Sequence, residues 1–338
     1  MSVTIIAEAG VNHNGSVETA KRLIDAAQQS GADYVKFQTF SAAAVAHHKA
    51  QKAEYQIRQV GAEENQFEML KKLELSFDQF AELKSYCIDK NIGFLSTAFD
   101  LESLECVLEL GVDYLKVPSG EVTNYPLLRG IGAANKPTLI STGMCFYEEV
   151  EAAVDQLVLG GLDRQQLKVF HCNTEYPTPF GDVNLRAMSS MGERLNLPFG
   201  YSDHTLGITV PIAAVALGAT VIEKHFTLDK KTKGPDHLTS LEPHELKAMV
   251  QGIRDVEASL GTTEKAPSPS EMKNRSVARR GIYAKTDIAK GEALTEKNLI
   301  LLRPAEGLTG DKWFEVQGSP SDQAYQKGDP LSEGEVKL

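Results

Sequence analysis

The stretch PFGYSDHTLGITVPIAAVALGATVIEKHF (198–226) carries two short runs of β-forming residues, 198–202 and 221–225, on either side of an apolar connection. Both runs are bounded by turn residues, as strands are. Each also closes on polar side chains: Ser202, Asp203 and His204 after the first, Glu223 and His225 in the second. Working outward, the same theme recurs along residues 4–261. Strands are predicted at 4–8, 34–39, 93–97, 114–118, 138–142 and 168–172. Between them lie amphipathic stretches such as 17–29, 77–89, 101–110, 148–159 and 243–260, with apolar residues near helical spacing. Ser16, Ser76, Asp100 and Glu242-Pro243 are suitable helix starts, and Gly31, Gly111, Gly160 and Gly261 suitable stops.

Eight strands alternating with eight connections predict an α/β protein whose residues 1–261 form a (β/α)8 TIM barrel. The rival, an open doubly wound sheet, lacks a Gly-rich fingerprint after the first strand. The connection 41–75 is long and polar, the usual mark of a lid or binding segment. Residues 262–280, rich in Pro, Ser, Thr and charge, read as a linker. Residues 281–338 form a small, mostly β unit with strands at 281–284 and 299–302. So short a unit is only marginally stable alone.

The 35 Lys and Arg against 46 Asp and Glu give a formal charge of -11, which excludes the basic fields that nucleic acids and anionic membranes require. The N-terminus has no basic region before its apolar run, and no apolar run approaches the ~20 residues of a membrane span. Cys87, Cys106, Cys145 and Cys172 have neither zinc-site nor disulfide-scaffold spacing. A cytoplasmic protein with reduced thiols is expected.

In a barrel all strand C-termini meet on one face, where active sites form. Here those ends read Glu8, Lys36 and Gln38, Ser96 and Thr97, Lys116 with Ser119 and Glu121, Ser141 and Thr142, His171 and Asn173, Ser202 to His204, and Glu223 with His225. The opposite ends are apolar or turn residues. His204 and His225 close adjacent strands, and two imidazoles with open positions suit a divalent Lewis-acid metal. Lys36 and Lys116 project from buried strands and need an anionic partner. Among Thr97, Ser119, Ser141 and Ser202 that partner is a phosphate or carboxylate, or else Glu8 or Glu223. A Schiff-base lysine is a further reading. Glu8 and Glu121 are candidates for acid, base or hydroxyl ligand, with their roles unassigned.

The motifs IIAEAGVNHNG (5–15), VKFQTF (35–40), LKVPSGE (115–121), LISTGM (139–144), HCNTEYPTP (171–179), GYSDHT (200–205) and EKHFTLD (223–229) resemble bacterial N-acetylneuraminate (sialic acid) synthases. The stretch 282–304 is similar to that family's C-terminal antifreeze-like (SAF) domain. The resemblance implies a homodimeric synthase that joins phosphoenolpyruvate, N-acetylmannosamine and water into N-acetylneuraminate and phosphate. It implies a divalent metal, manganese ahead of magnesium or cobalt, on His204 and His225. Lys36, Thr97, Lys116, Ser119, Ser141, Asn173 and Ser202 would grip phosphoenolpyruvate. Gln38, Tyr176 and Asp236 would bind the sugar, and Glu8 or Glu121 would transfer protons. Arg303 would reach the N-acetyl group from the swapped domain of the dimer partner. The alternative is a legionaminic or pseudaminic acid synthase acting on a 6-deoxy-diacetamido hexose; a Schiff-base aldolase on Lys36 or Lys116 is a distant third. Two departures stand out. The family's R-P-G-N-G is Arg303-Pro304-Ala305-Glu306-Gly307 here, which restricts the turn and adds a charge. Its S-T-P-F is Ser96-Thr97-Ala98-Phe99, an expected tolerable change.

Overall fold

The computed structural model describes residues 2–332. The strands are β1 (Thr4–Gly10), β2 (Tyr34–Thr39), β3 (Gly93–Ala98), β4 (Leu115–Val117), β5 (Thr138–Ser141), β6 (Leu167–His171), β7 (Phe199–Asp203) and β8 (Val221–His225). They pair in parallel in the order β3-β2-β1-β8-β7-β6-β5-β4. Pairing of the first strand with the last closes the sheet into a TIM-like barrel, with β3 and β4 adjacent where the ladder ends. β4 is shorter than the sequence predicts because Pro118, which cannot donate to a ladder, leads into the turn Ser119–Glu121.

Helices cover the outside. Val17–Ser30 starts where the Ser16 side chain accepts the Thr19 amide and stops at Gly31 in the left-handed region. Phe77–Asp89 opens on a Ser76–Gln79 capping box. Tyr125–Ala134, Leu185–Leu195 and Thr209–Ala216 complete the crossovers between later strands. Leu23, Ile24, Leu83, Val107, Leu128, Leu157 and Ile253 face buried strand residues such as Ile5, Phe37, Phe94 and Phe170 in one continuous core. The connection 41–75 is not open loop. It holds the short helices Ala42–Val45, Glu54–Val60 and Gln66–Leu73, the last fixed by an Asn65–Glu68 capping box. Beneath them Val11, Phe40, Met69 and Leu73 form an apolar cluster of their own.

Strand alternation sends some charges outward, between sheet and helices. Lys224 and Asp203 are register partners on β8 and β7, both fully buried, with Lys224 Nζ 2.5 Å from Asp203 Oδ2. Lys224 also donates to the Thr205 carbonyl, while the Thr205 amide and hydroxyl donate to the Asp203 carboxylate at 3.1 and 3.0 Å. Every polar atom of this pair is engaged, which offsets its desolvation.

The chain divides into two compact units, Met1–Gly261 and Thr262–Leu338. Part of the stretch read as a linker is a helix, Pro269–Ala278, with Ser268 and Glu271 as its capping box and every residue exposed. In the second unit β9 (Gly281–Ala284) and β10 (Leu299–Leu302) pair antiparallel. Ile282, Ala284, Ile288, Leu294, Leu299, Val316, Tyr325 and Leu331 make its core. The expected restriction at Ala305 does not arise, because Ala305 is not among the residues with positive φ; the turn places its left-handed residue at Gly307, φ 62°. A Cβ at Gly307 would lie 1.9 Å from the Leu331 carbonyl oxygen, so glycine is required there. Among the described residues no helix is long and apolar enough to cross a membrane.

Lys224→Met strands a buried carboxylate and is expected to destabilise the barrel by about 3–5 kcal/mol, with Lys224→Met/Asp203→Leu recovering much of the loss. Urea unfolding of the single and double variants measures both; equal losses would contradict the account.

Candidate active site at the carboxyl ends of the barrel strands

The strand ends enclose a cavity of about 480 Å3. Its floor is a buried ion network formed by four strands. Lys36 of β2 lies 2.8 Å from Glu8 Oε2 of β1 and 3.5 Å from Glu223 Oε2 of β8. Lys116 of β4 lies 3.1 Å from Glu223 Oε1. The Ser202 hydroxyl donates to Glu223 Oε1 at 3.0 Å, Lys36 donates to Thr97 Oγ1 at 3.0 Å, and Gln38 Nε2 donates to Glu8 Oε1 at 3.3 Å. Both lysines therefore have the carboxylate partners that the sequence reading held as the alternative to a bound anion. The Ser141 hydroxyl, on the same cavity wall, is buried with no partner. An unsatisfied donor in the same cavity as two ammonium groups is what a phosphate or carboxylate oxygen needs.

The environment separates the two glutamates. Burial raises the Glu8 carboxyl to about 7 against the opposing pull of Lys36. Burial would raise Glu223 too, but Lys116 and Lys36 outweigh it and hold it down to about 2. Burial alone would also lower Lys36; Glu223 and Glu8 outweigh it and raise the group, whereas burial prevails at Lys116 and lowers it.

Above the network stand the two histidines, with ring centroids 5.3 Å apart. His204 Nδ1 bonds the Asn173 carbonyl, which can only accept, so the proton sits on Nδ1 and the Nε2 lone pair is free. His225 Nδ1 is buried without a hydrogen-bond partner, 4.0 Å from Asp236 Oδ2. Burial lowers His204 to about 4 and His225 well below its ordinary value, so both are neutral donors at pH 7. Burial also raises Asp236 to about 7. Two neutral imidazoles, one with an orphaned nitrogen, fit a divalent metal with open positions. No cluster of three His, Cys, Asp or Glu able to hold a metal exists among the described residues, so these two would be the protein's share. Gly10 sits between the parts: a Cβ there would meet Gln38 and His225 at 3.3 Å and Glu8 at 3.4 Å.

Of the residues singled out in the sequence, Glu8, Lys36, Gln38, Thr97, Lys116, Ser119, Ser141, Tyr176, Ser202, His204, His225 and Asp236 line this cavity. Glu121 and Asn173 do not. Glu121 accepts from Asn124 Nδ2 at 2.7 Å beside a helix start, and the Asn173 side chain accepts the Glu175 amide at 2.7 Å in a local turn. A short polar side chain such as Asn173 just past a strand readily bonds nearby backbone, and Glu121 is drawn to the Asn124 side chain instead. Asn173 instead contributes its carbonyl, which orients His204. Arg303 is an exposed residue of the second unit. The sequence reading did not single out Tyr55, Gln56, Met69 and Leu73 of the 41–75 connection, or Cys172, as site residues. Tyr55 stacks on Tyr176 at 4.8 Å and Tyr176 on His204 at 4.0 Å. Only the unusual length of that connection signalled their presence.

A cavity lined by two lysines, a free serine hydroxyl and paired neutral histidines, at the C-terminal face of a barrel, has the make-up and the place of an enzyme active site. Residues 23–265 match the NeuB family and residues 279–337 the SAF domain, and the chain belongs to the NeuB family of synthases. It is 48% identical over 329 residues to the N,N'-diacetyllegionaminic acid synthase of Campylobacter jejuni, covering 97% of this chain and 98% of that one. It is 47% identical to the enzyme of the same name from Legionella pneumophila, covering 98% and 94%. The crystal structure of N-acetylneuraminic acid (sialic acid) synthetase from Leptospira borgpetersenii, in complex with citrate, matches with TM-score 0.71 and 32% identity over 81% of this chain and 90% of that one.

The loop after β1 adds an acid-sensitive element. His13 is buried, accepts the Gly15 amide at Nδ1 (3.0 Å), and is lowered to about 4 by burial and by His237. Below pH 6.5 the unfolded chain takes up a proton that the folded chain refuses until about 4. Stability therefore falls across that window, by about 3 kcal/mol from this group when the window has been crossed. His13→Asn is expected to remove this group's share of the pH dependence between pH 6.5 and 4, as read by urea midpoints; a profile with unchanged slope would contradict it.

Proposed function

We propose that this enzyme condenses phosphoenolpyruvate with a 6-deoxy-diacetamido hexose and water, giving a legionaminic-type nine-carbon acid and phosphate. The condensation is supported by one arrangement above all: Lys36, Lys116 and the unpartnered Ser141 hydroxyl beside His204 and His225. The sugar rests on the relatives. The resemblance put N-acetylneuraminate first, but end-to-end identities of 48% and 47% to diacetyllegionaminic acid synthases, against 32% to the sialic acid synthetase, favour the alternative.

On this reading Lys36, Lys116, Thr97, Ser119, Ser141 and Ser202 hold the phosphate and carboxylate of phosphoenolpyruvate, with Glu223 fixing both lysines. His204 and His225 would hold a divalent cation, manganese first, which supplies Lewis-acid polarisation of the sugar aldehyde. The phosphoenolpyruvate methylene carbon bonds to the aldehyde carbon. Water adds at the adjoining carbon, and the C–O bond to phosphate then breaks. Glu8, near neutrality at pH 7, holds or releases a proton at Oε1 or Oε2 for the new hydroxyl. Tyr176 and Tyr55 cover the histidines and keep bulk water from the reacting carbons. A Schiff-base path would need Lys36 or Lys116 to leave its carboxylate.

Phosphate release from phosphoenolpyruvate is expected with the 6-deoxy-diacetamido hexose at a kcat/KM about tenfold or more above that with N-acetylmannosamine, and to stop on chelation. His204→Ala and His225→Ala should each abolish it with the thermal midpoint kept. Turnover after exhaustive chelation, or borohydride trapping of pyruvate on a lysine, would overturn the reading. The homodimer and the sugar role of Arg303 belong to the same proposal. Arg303→Ala should raise KM for the sugar and leave KM for phosphoenolpyruvate unchanged, and the protein should sediment as a dimer.

A further inference from the structure

One wall of the cavity is chemically unlike the rest. Lysines, carboxylates, hydroxyls and histidines make up its floor, yet the 41–75 connection and the ends of β1 and β3 bring in Val11, Met69, Leu70, Leu73 and Phe99, with Tyr55, Gln56 and Gln66 as the polar members of that side. Val11, Met69 and Leu73 are 4–7% exposed and belong to the small apolar cluster with Phe40, apart from the main barrel core. Met69 and Leu73 lie one helical turn apart on Gln66–Leu73, so one face of that helix presents both. Phe99 is held edge-on against Phe40, with centroids 6.1 Å apart. Val11 follows Gly10, which abuts His225, so the wall begins one residue from the paired histidines. The anionic substrate does not use such a surface, and a fully hydroxylated sugar would lose hydrogen bonds against it.

We propose that this wall, with Met69 and Val11 at its centre, selects the sugar by receiving its terminal methyl group. The inference rests on the condensing-synthase reading above. A sugar ending in a methyl buries that group against Met69, Leu73 and Val11. A counterpart ending in a hydroxymethyl must bring a hydroxyl against the same three apolar side chains, none of which offers it a donor. Apolar pockets discriminate against an added hydroxyl only modestly, so the expected preference is roughly 10–100-fold.

The test measures manganese-supported phosphate release from saturating phosphoenolpyruvate with two sugars, the 6-deoxy-diacetamido hexose and its 6-hydroxy counterpart. The full-length wild-type chain should prefer the deoxy sugar by that factor, mainly through KM. Met69→Gln, which adds an amide to the wall, should move the ratio about tenfold toward the hydroxy sugar, while Met69→Leu keeps it. Val11→Thr, nearly isosteric, should move the ratio the same way and serves if Met69→Gln folds poorly. Equal use of both sugars by the wild type, or a ratio unmoved in folded Met69→Gln and Val11→Thr, overturns this inference and leaves the synthase reading standing. Failure to release phosphate with either sugar sinks that reading, and this inference with it.

Discussion

The barrel mouth is organised by Glu223, an almost fully buried carboxylate at the cavity wall that must satisfy two ammonium groups at once. It lies 3.1 Å from Lys116 and 3.5 Å from Lys36, and Lys36 is in turn 2.8 Å from Glu8. Two buried cations and two buried anions balance formally, and each leans on the others: removing one leaves a charge whose desolvation nothing offsets. This network forces β1, β2, β4 and β8 into a single register, because a slip of one residue would point its side chains at the helices. The observed pairing of Glu8 with Lys36 and with His225, and of Ser202 with Glu223, is the register that brings all of them inward.

The same parity explains the second buried pair. On β7 and β8, Ser202 and Glu223 face in, so Asp203 and Lys224 must face out. They meet under the helices instead of in the cavity, satisfied by each other and by Thr205. One pair of strands thus places a polar couple on each side of the sheet, Ser202 with Glu223 inside and Asp203 with Lys224 outside. Only the inner couple is open to a ligand.

This periodicity is why so much was legible beforehand. Polar residues at the C-terminal ends of successive β-branched runs identify a barrel and its working face together, and eleven such positions do line one cavity. Beyond the last strand residue a side chain follows the local turn and not the strand: Ser119 and His204 are turned into the cavity there, whereas Glu121 and Asn173 are held by local hydrogen bonds. The helix Pro269–Ala278 was hidden by its composition. Pro, Ser and Glu suggest a linker, yet Ser268-Pro269-Ser270-Glu271 is also a capping sequence with proline in the first turn. Helices of the 41–75 connection were hidden by their brevity, since two turns give too short a pattern for helical spacing to register.

Those two failures have different consequences for function. Strand-end residues are fixed by a ladder that cannot shift without unfolding, and they carry the groups that meet charge: lysines, glutamates, serines and histidines. The 41–75 segment packs through its own small cluster of Val11, Phe40, Met69 and Leu73, outside the main core. Its side chains can change without breaking a strand pair or unbalancing an ion pair. Chemistry shared by a family belongs on the first kind of support, and recognition of one sugar among several on the second. A wall of exchangeable apolar residues over an inflexible charged floor is a physical basis for one condensation serving different sugars. It also accounts for strand-end motifs that announce the reaction clearly and say little about the substrate's far end.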